Sequence, residues 1–288
     1  MKFPRTDLAV EARELYEAAS GTAAAGVSER RSECCGFPVT EVCIETKTAE
    51  KAIGKARGRY ITLDLAGFVR REENAFPRAV QAIAMQLKRV LPPLSPTDCV
   101  LVAGLGNRAI TPDAIGPKAA DHTLVTRHLV AKLPQQFGAL RPVAALSAGV
   151  LGTTGMESGE LIRAVAEKLR PACVVAIDAL CARENERLCK TVQLTDTGIS
   201  PGSGVGNRRA AIDHTSLGIP VAVLGIPTVI DAASLAAGED VSPGLHGLIV
   251  TPKDIDARVN DLSKVLGYGI NLALQPSLTL EDVELLLS

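Results

Sequence analysis

The sequence predicts an α/β fold in which a mostly parallel sheet is flanked by helices, with a small β flap near the N-terminus. Two observations carry this. Short apolar runs rich in β-branched residues recur at 98–103, 143–147, 173–178 and 221–224, and uninterrupted runs of this length belong to strands buried on both faces. Between them lie the helically spaced stretches 116–133 and 157–169, and such alternation is the mark of right-handed βαβ units.

In order along the chain, apolar residues at 8, 12, 15, 16 and 19 predict an N-terminal helix over 8–19, with Thr6 or Asp7 as its cap. Residues 20–36, rich in Gly, Ser and Ala, read as a loop. The runs 39–46 and 59–65 read as two strands of an antiparallel flap or small sheet, separated by a Lys- and Gly-rich turn. A helix over 74–90 must stop at Pro92-Pro93. After the strand 98–103 comes a glycine loop, and Pro117 can open the following helix because its missing N–H would have had no partner there. Further strands are expected at 191–194 and 221–224, a packing helix at 254–274, and a mobile surface loop at 236–247.

The balance of charge narrows the partners. With 31 Lys and Arg against 32 Asp and Glu, the 288-residue chain carries a net charge of −1 and has no field to gather nucleic acid or anionic lipid. Aromatic residues make up 3% and Trp is absent, so a base-stacking platform is excluded. The N-terminus lacks the apolar core of a signal peptide and no apolar run reaches membrane-spanning length, which predicts a cytoplasmic protein. The seven cysteines form no CxxC pair and read as small buried hydrophobes, the alternative being a zinc site built from Cys34, Cys35, Cys43 and a histidine.

Two carboxylates stand out. The strand 98–103 delivers Asp113 through the loop Gly104-Leu105-Gly106-Asn107, and the apolar run Cys173–Ile177 ends in Asp178. Ligands gather at the carboxyl ends of parallel strands. Two carboxyl groups brought together in a partly dry cleft share a proton and divide into acid and base, which is chemistry for activating water. The plainer reading makes each aspartate a helix cap or turn former. A third segment, 195–207, has the glycine density of a loop that comes close to an anion or an extended peptide. It lacks the Gly-Lys-Ser/Thr ending of a phosphate loop, and Ser203 lacks the glycines two residues before and two residues after it that a nucleophile elbow has. His122 and His128 read as helix-face residues, His214 could stand near the site, and Cys181 has no identifiable base. Gly104-Leu105-Gly106-Asn107-Arg108-Ala109 also satisfies G-x-G-x-x-A, but the helix starts late and no acid ends the next strand. A non-catalytic peptide- or nucleotide-binding α/β module is therefore the competing reading.

An ordered series of motifs resembles the bacterial spore germination proteases. It runs through Arg5-Thr6-Asp7-Leu8-Ala9-Val10-Glu11, Gly104-Leu105-Gly106-Asn107, Thr111-Pro112-Asp113-Ala114, Leu124–Leu129, Ala176–Leu180, Asp196–Ile199, Pro201–Asn207, Gly225–Val229 and Val250–Lys253. The resemblance implies an endopeptidase of the forespore and spore core that degrades small acid-soluble DNA-coating proteins at germination. It further implies a self-processing zymogen, a homotetramer, and a phosphorylase/hydrolase-like sheet shared with hydrogenase maturation peptidases. No cofactor and no metal are implied. The family's catalytic aspartates match Asp113 and Asp178. Gly104, Gly106, Asn107, Asp196, Gly202, Ser203 and Gly204 are then the candidates for holding an extended substrate. Thr6–Glu11 is similar to the segment at which family substrates are cut, which predicts autocleavage between Asp7 and Leu8. On this reading residues 1–7 are a short propeptide and 8–288 a single peptidase domain with its core at about 96–235. Family propeptides are usually longer, and the stretch between Val229 and Thr251 is shorter than the family leads one to expect.

Overall fold

The structure, a computed structural model, describes residues 6–203, 209–235, 245 and 248–288. Among them nine strands form one sheet: β1 (Val27–Cys34), β2 (Phe37–Ile44), β3 (Gly58–Asp64), β4 (Val100–Leu105), β5 (Val143–Gly149), β6 (Cys173–Ala182), β7 (Thr191–Thr195), β8 (Val221–Asp231) and β9 (Ile249–Val250). Their order is β1-β2-β3-β7-β8-β6-β4-β5, with β9 on the far end of β8. The strands β8, β6, β4 and β5 run parallel. The wing β1-β2-β3-β7 is antiparallel, and β7 is antiparallel to β8.

The expected flap is therefore no separate unit, because β3 pairs with β7 and carries the wing into the main sheet. Nor is 20–36 all loop: β1 occupies most of its second half. This strand escapes a search for apolar alternation because Ser28, Glu29, Arg30, Arg31, Ser32 and Glu33 line a sheet edge, where charge discourages pairing with another chain. The stretch between β2 and β3 holds a helix, Lys47–Ile53, capped by Thr46. The helix expected over 116–133 is broken into Ile115–Asp121 and Arg127–Lys132. Between them the chain is tied down by Asn271 Oδ1, which accepts from Leu124 N–H, and by Val143 O, which accepts from Thr126 N–H. The helices Ala75–Val90, Ser158–Leu169 and Ile255–Leu274 stand close to their expected limits, and a further helix, Leu280–Leu287, follows them.

Alternation along the central strands fills two cores. Val100, Val102, Val175, Ile177, Ala222 and Leu224 pack beneath the long helices Ala75–Val90 and Ile255–Leu274. Leu101, Ala103, Val174, Ala176, Val221 and Val223 face the other way, toward Ile162 of the helix Ser158–Leu169. By this alternation Asp178 lies on the second face, two residues past Ala176.

Candidate active site

The loop after β4 is shaped by close backbone approach. A Cβ on Gly116 would lie 2.3 Å from Leu105 O and 2.4 Å from Ile177 O, and one on Gly104 2.4 Å from Gly116 O. The start of the helix Ile115–Asp121 is thereby seated directly on the tip of β4 and the middle of β6. Gly106 has φ +110°, and a Cβ there would stand 2.0 Å from Asp113 O, so this position needs glycine. The single turn Thr111–Asp113 then brings Asp113 back over the loop, where its Oδ2 accepts from Asn107 N–H at 2.7 Å. The close approach that made a dinucleotide fingerprint worth weighing is thus to the chain's own Asp113.

Asp178 does not end its strand, as the sequence suggested, but sits within β6, which continues to Ala182. β4 leaves β6 at Ile177, so the carboxyl group stands just beyond the last rung of that ladder. It is 5% exposed and accepts from Ala179 N–H at 2.9 Å. Burial raises its pKa well above the carboxylate range, and the nearby charges of Asp113 and then Asp7 raise it further. Asp113 is raised as well, by burial, while the Asn107 N–H and the charge of Arg209 pull it down. The environments of the two carboxyl groups thus differ in degree. Asp178, Gly225 of β8 and Gln193 of β7 occupy one level across three neighbouring strands.

Beside them lies the chain's own N-terminal segment. Asp7 N–H donates to Cys181 O at 2.9 Å, on the part of β6 that β4 leaves unpaired. The Asp7 carboxylate accepts from Cys181 N–H at 2.9 Å and from Ser203 Oγ at 2.7 Å. Its carbonyl oxygen accepts from Lys55 Nζ at 3.0 Å and from Gln193 Nε2 at 3.1 Å, and Lys55 reaches Thr6 O at 3.0 Å too. Gln193 Oε1 accepts from Ala9 N–H at 2.7 Å. Glu11, 1% exposed, accepts from Arg183 N–H at 2.8 Å, Glu184 N–H at 3.0 Å, the Arg187 guanidinium at 3.4 Å and the Thr6 hydroxyl. A cavity of about 690 Å³ adjoins this segment, lined among others by Thr6, Lys55, Tyr60, Thr195 and Ser203.

The sequence-predicted residues therefore divide. Asp113, Asp178, Asp7 and Ser203 converge, with Asn107 holding Asp113. Gly104 and Gly106 shape the loop rather than face the segment. Gly202, at φ +74°, makes the turn before Ser203, and Gly204 lies outside the described residues, as does most of the loop expected at 236–247. Asp196 is exposed and accepts from Arg59 N–H at 2.9 Å, joining β7 to the start of β3. Cys181 contributes its backbone; its thiol is pushed up to about 12 by burial and by Asp7. Cys34 and Cys35 meet Met85 instead of Cys43. Neither Thr6 nor Asp7 caps the first helix, Ala9–Ser20, whose N-cap is Leu8; Thr6 Oγ1 accepts from Leu8 N–H, and Asp7 is held by β6 and Ser203. The chain bends at Asp7, is extended at Leu8 and turns helical from Ala9, so an extended peptide is too simple a picture. Sequence reading missed Lys55, Gln193 and Arg187. Gln193 alternates with Val192 and Leu194 in the strand Thr191–Thr195, on the face that also carries Thr191 and Thr195, and such alternation reads from sequence as an ordinary polar face.

The fold and this cleft define an α/β protein that seats a peptide segment beside one buried and one half-buried carboxyl group. The chain belongs to the germination protease family, which it matches over residues 6–241. It is 41% identical to the germination protease of Caldanaerobacter subterraneus subsp. tengcongensis, with 98% of each chain covered. It is 39% identical to that of Clostridium tetani, over 97% of this chain and 98% of the relative, and 34% to that of Priestia megaterium, over 96% and 95%. The chain is thus a hydrolase, a protease of spore germination. Among the described residues no helix is long and apolar enough to cross a membrane.

Proposed function

We propose that the chain is an endopeptidase that initiates degradation of small acid-soluble DNA-binding spore proteins in the spore core, and that it is made as a zymogen that cuts itself between Asp7 and Leu8. The observation that supports this best is the seating of residues 6–11: both acidic side chains and the Asp7 carbonyl have donors, and Asp7 is close enough to raise the Asp178 pKa. A segment that mimics the substrate is held as a substrate would be.

In the proposed reaction Asp178 carries the shared proton, because it is the more strongly disfavoured as an anion, and Asp113 is the carboxylate. Asp113 takes a proton from water as the water oxygen bonds to the Asp7 carbonyl carbon. Asp178 then protonates the Leu8 nitrogen as the C–N bond breaks, leaving a new carboxyl group on Asp7 and an amine on Leu8. Intact-mass spectrometry of wild type, Asp113→Asn and Asp178→Asn after incubation at mildly acidic and neutral pH tests this. Loss of residues 1–7 from wild type and from neither variant is expected. Equal loss from all three would assign the cut to a contaminant. The proposed tetramer is supported by exposed apolar residues, Leu248–Val250 at the β9 edge and Leu285 and Leu286 on the last helix, and light scattering after gel filtration reads it.

A further inference from the structure

We infer that Lys55 and Gln193 are catalytic residues that together bind the oxyanion formed on the Asp7 carbonyl during cleavage. The inference rests on the proposed cut between Asp7 and Leu8.

Both lone pairs of that carbonyl oxygen are engaged, one by a side-chain amide and one by an ammonium. A resting peptide carbonyl needs one donor; two donors, one of them charged, suit an oxygen that becomes negative when water adds to its carbon. The orientation of Gln193 is fixed from the other side of the same bond. Its Oε1 must face the Ala9 N–H, which can only donate, so its NH2 must face the Asp7 oxygen. One amide therefore straddles the Asp7–Leu8 link, gripping the Asp7 carbonyl before it and the Ala9 N–H one residue beyond Leu8.

Docking of the first helix accounts for part of this arrangement, since Ala9 N–H is an unpaired donor of the helix start. It does not account for Lys55, which touches the carbonyls of Thr6 and Asp7, outside the helix. Nor does it account for burying Gln193, 6% exposed, at the level of the sheet that carries Asp178. The register puts Gln193 level with Asp178, two strands away, at about 10 Å between backbones. A scissile group between them would meet the proton donor from the β6 side and the oxyanion donors from β7 and Lys55. No proton moves to or from Lys55 or Gln193; they hold charge that Asp113 and Asp178 create and discharge.

The test uses the full-length chain. The first-order rate of loss of residues 1–7 is followed by intact mass in wild type, Lys55→Met, Lys55→Arg and Gln193→Glu, each with thermal melting as a check of folding. Glu at 193 keeps an acceptor for Ala9 N–H while removing the donor to the carbonyl. Loss of one oxyanion donor should slow processing by about 10²–10³-fold in Lys55→Met and Gln193→Glu, with Lys55→Arg recovering part of it. On a synthetic peptide copying residues 1–18, added to processed enzyme, the loss should fall on kcat and leave KM nearly unchanged. Rates within about 3-fold of wild type, or a change confined to KM, would reduce both residues to docking contacts and overturn the inference. Wild type that is never cut between Asp7 and Leu8 would instead remove the reading on which it rests, and the inference with it.

Discussion

Two buried carboxyl groups in this molecule, Glu11 and Asp178, have opposite surroundings. Glu11 is the more deeply buried, yet every oxygen finds donors: two backbone N–H groups, a hydroxyl and a guanidinium. Asp178 has one backbone N–H and, instead of cations in contact, two other carboxyl groups nearby. Burial alone does not prepare a carboxyl group for acid chemistry. A full set of donors makes an anchor, and a deficit of donors next to like charge makes a group that keeps its proton.

The sharpest break of this contrast is Asp178→Asn. Processing should fall by more than about 10³-fold, as removal of a transferring group does, while the fold becomes more stable. The folded pKa of Asp178 lies above its unfolded value of about 3.9. From about pH 4 upward the native state keeps a proton that the unfolded chain releases, so wild-type stability falls as pH rises through that window. The amide variant has no such fall. Its melting temperature should exceed that of wild type by a margin that grows from about pH 4 and levels off above the raised pKa, about 2–4 °C for each kcal/mol. A variant less stable than wild type at neutral pH would show that the charged form is supported in the fold.

Glu11→Gln probes the other partner. An amide can accept on one oxygen, so its NH2 must face either Arg183 N–H or Glu184 N–H, donor against donor. The expected cost is about 2–3 kcal/mol, read as a lower denaturation midpoint and slower processing. The proposed cut would leave Glu11 on the mature chain, still filling the seat that the corresponding acid of a second segment would need. Looser seating should therefore raise the turnover of added peptide while it slows the first cut. Both rates falling together would separate the Glu11 seat from substrate recognition.

The parts of the site that the sequence disclosed were those written locally. Asp113 and Asp178 were legible because apolar runs lead into them, and Gly106 because glycine density marks a tight loop. The parallel centre was legible because strands buried on both faces must be apolar throughout. What was not legible depends on contacts across long stretches of chain. Gln193 meets Ala9 and Lys55 meets Asp7 through the pairing of β7 with β3 and the docking of the first helix. The polar edge strand β1 was hidden because an edge must repel other edges. From sequence, Asp178 reads as a strand end because a polar residue after five apolar ones marks a boundary; in the fold, the residues beyond it are covered by β8 and the N-terminal segment.

The smallest effect concerns Asp7 itself. Its charge is the third contributor to the raised pKa of Asp178, after burial and Asp113. If Asp178 must be protonated to act, the processing rate falls on the alkaline side as that proton is lost. Asp7→Asn removes one of the like charges that hold the proton in place, so the alkaline limb of the rate profile should move to lower pH. The amplitude will fall as well, because the amide at position 7 cannot accept from both Cys181 N–H and Ser203 Oγ as the carboxylate does. The position of the limb is independent of that amplitude and is the quantity to read. An unmoved limb would mean that burial and Asp113 alone set the proton on Asp178. A limb moved down would make the acidic residue before the cut part of the acid chemistry as well as part of recognition.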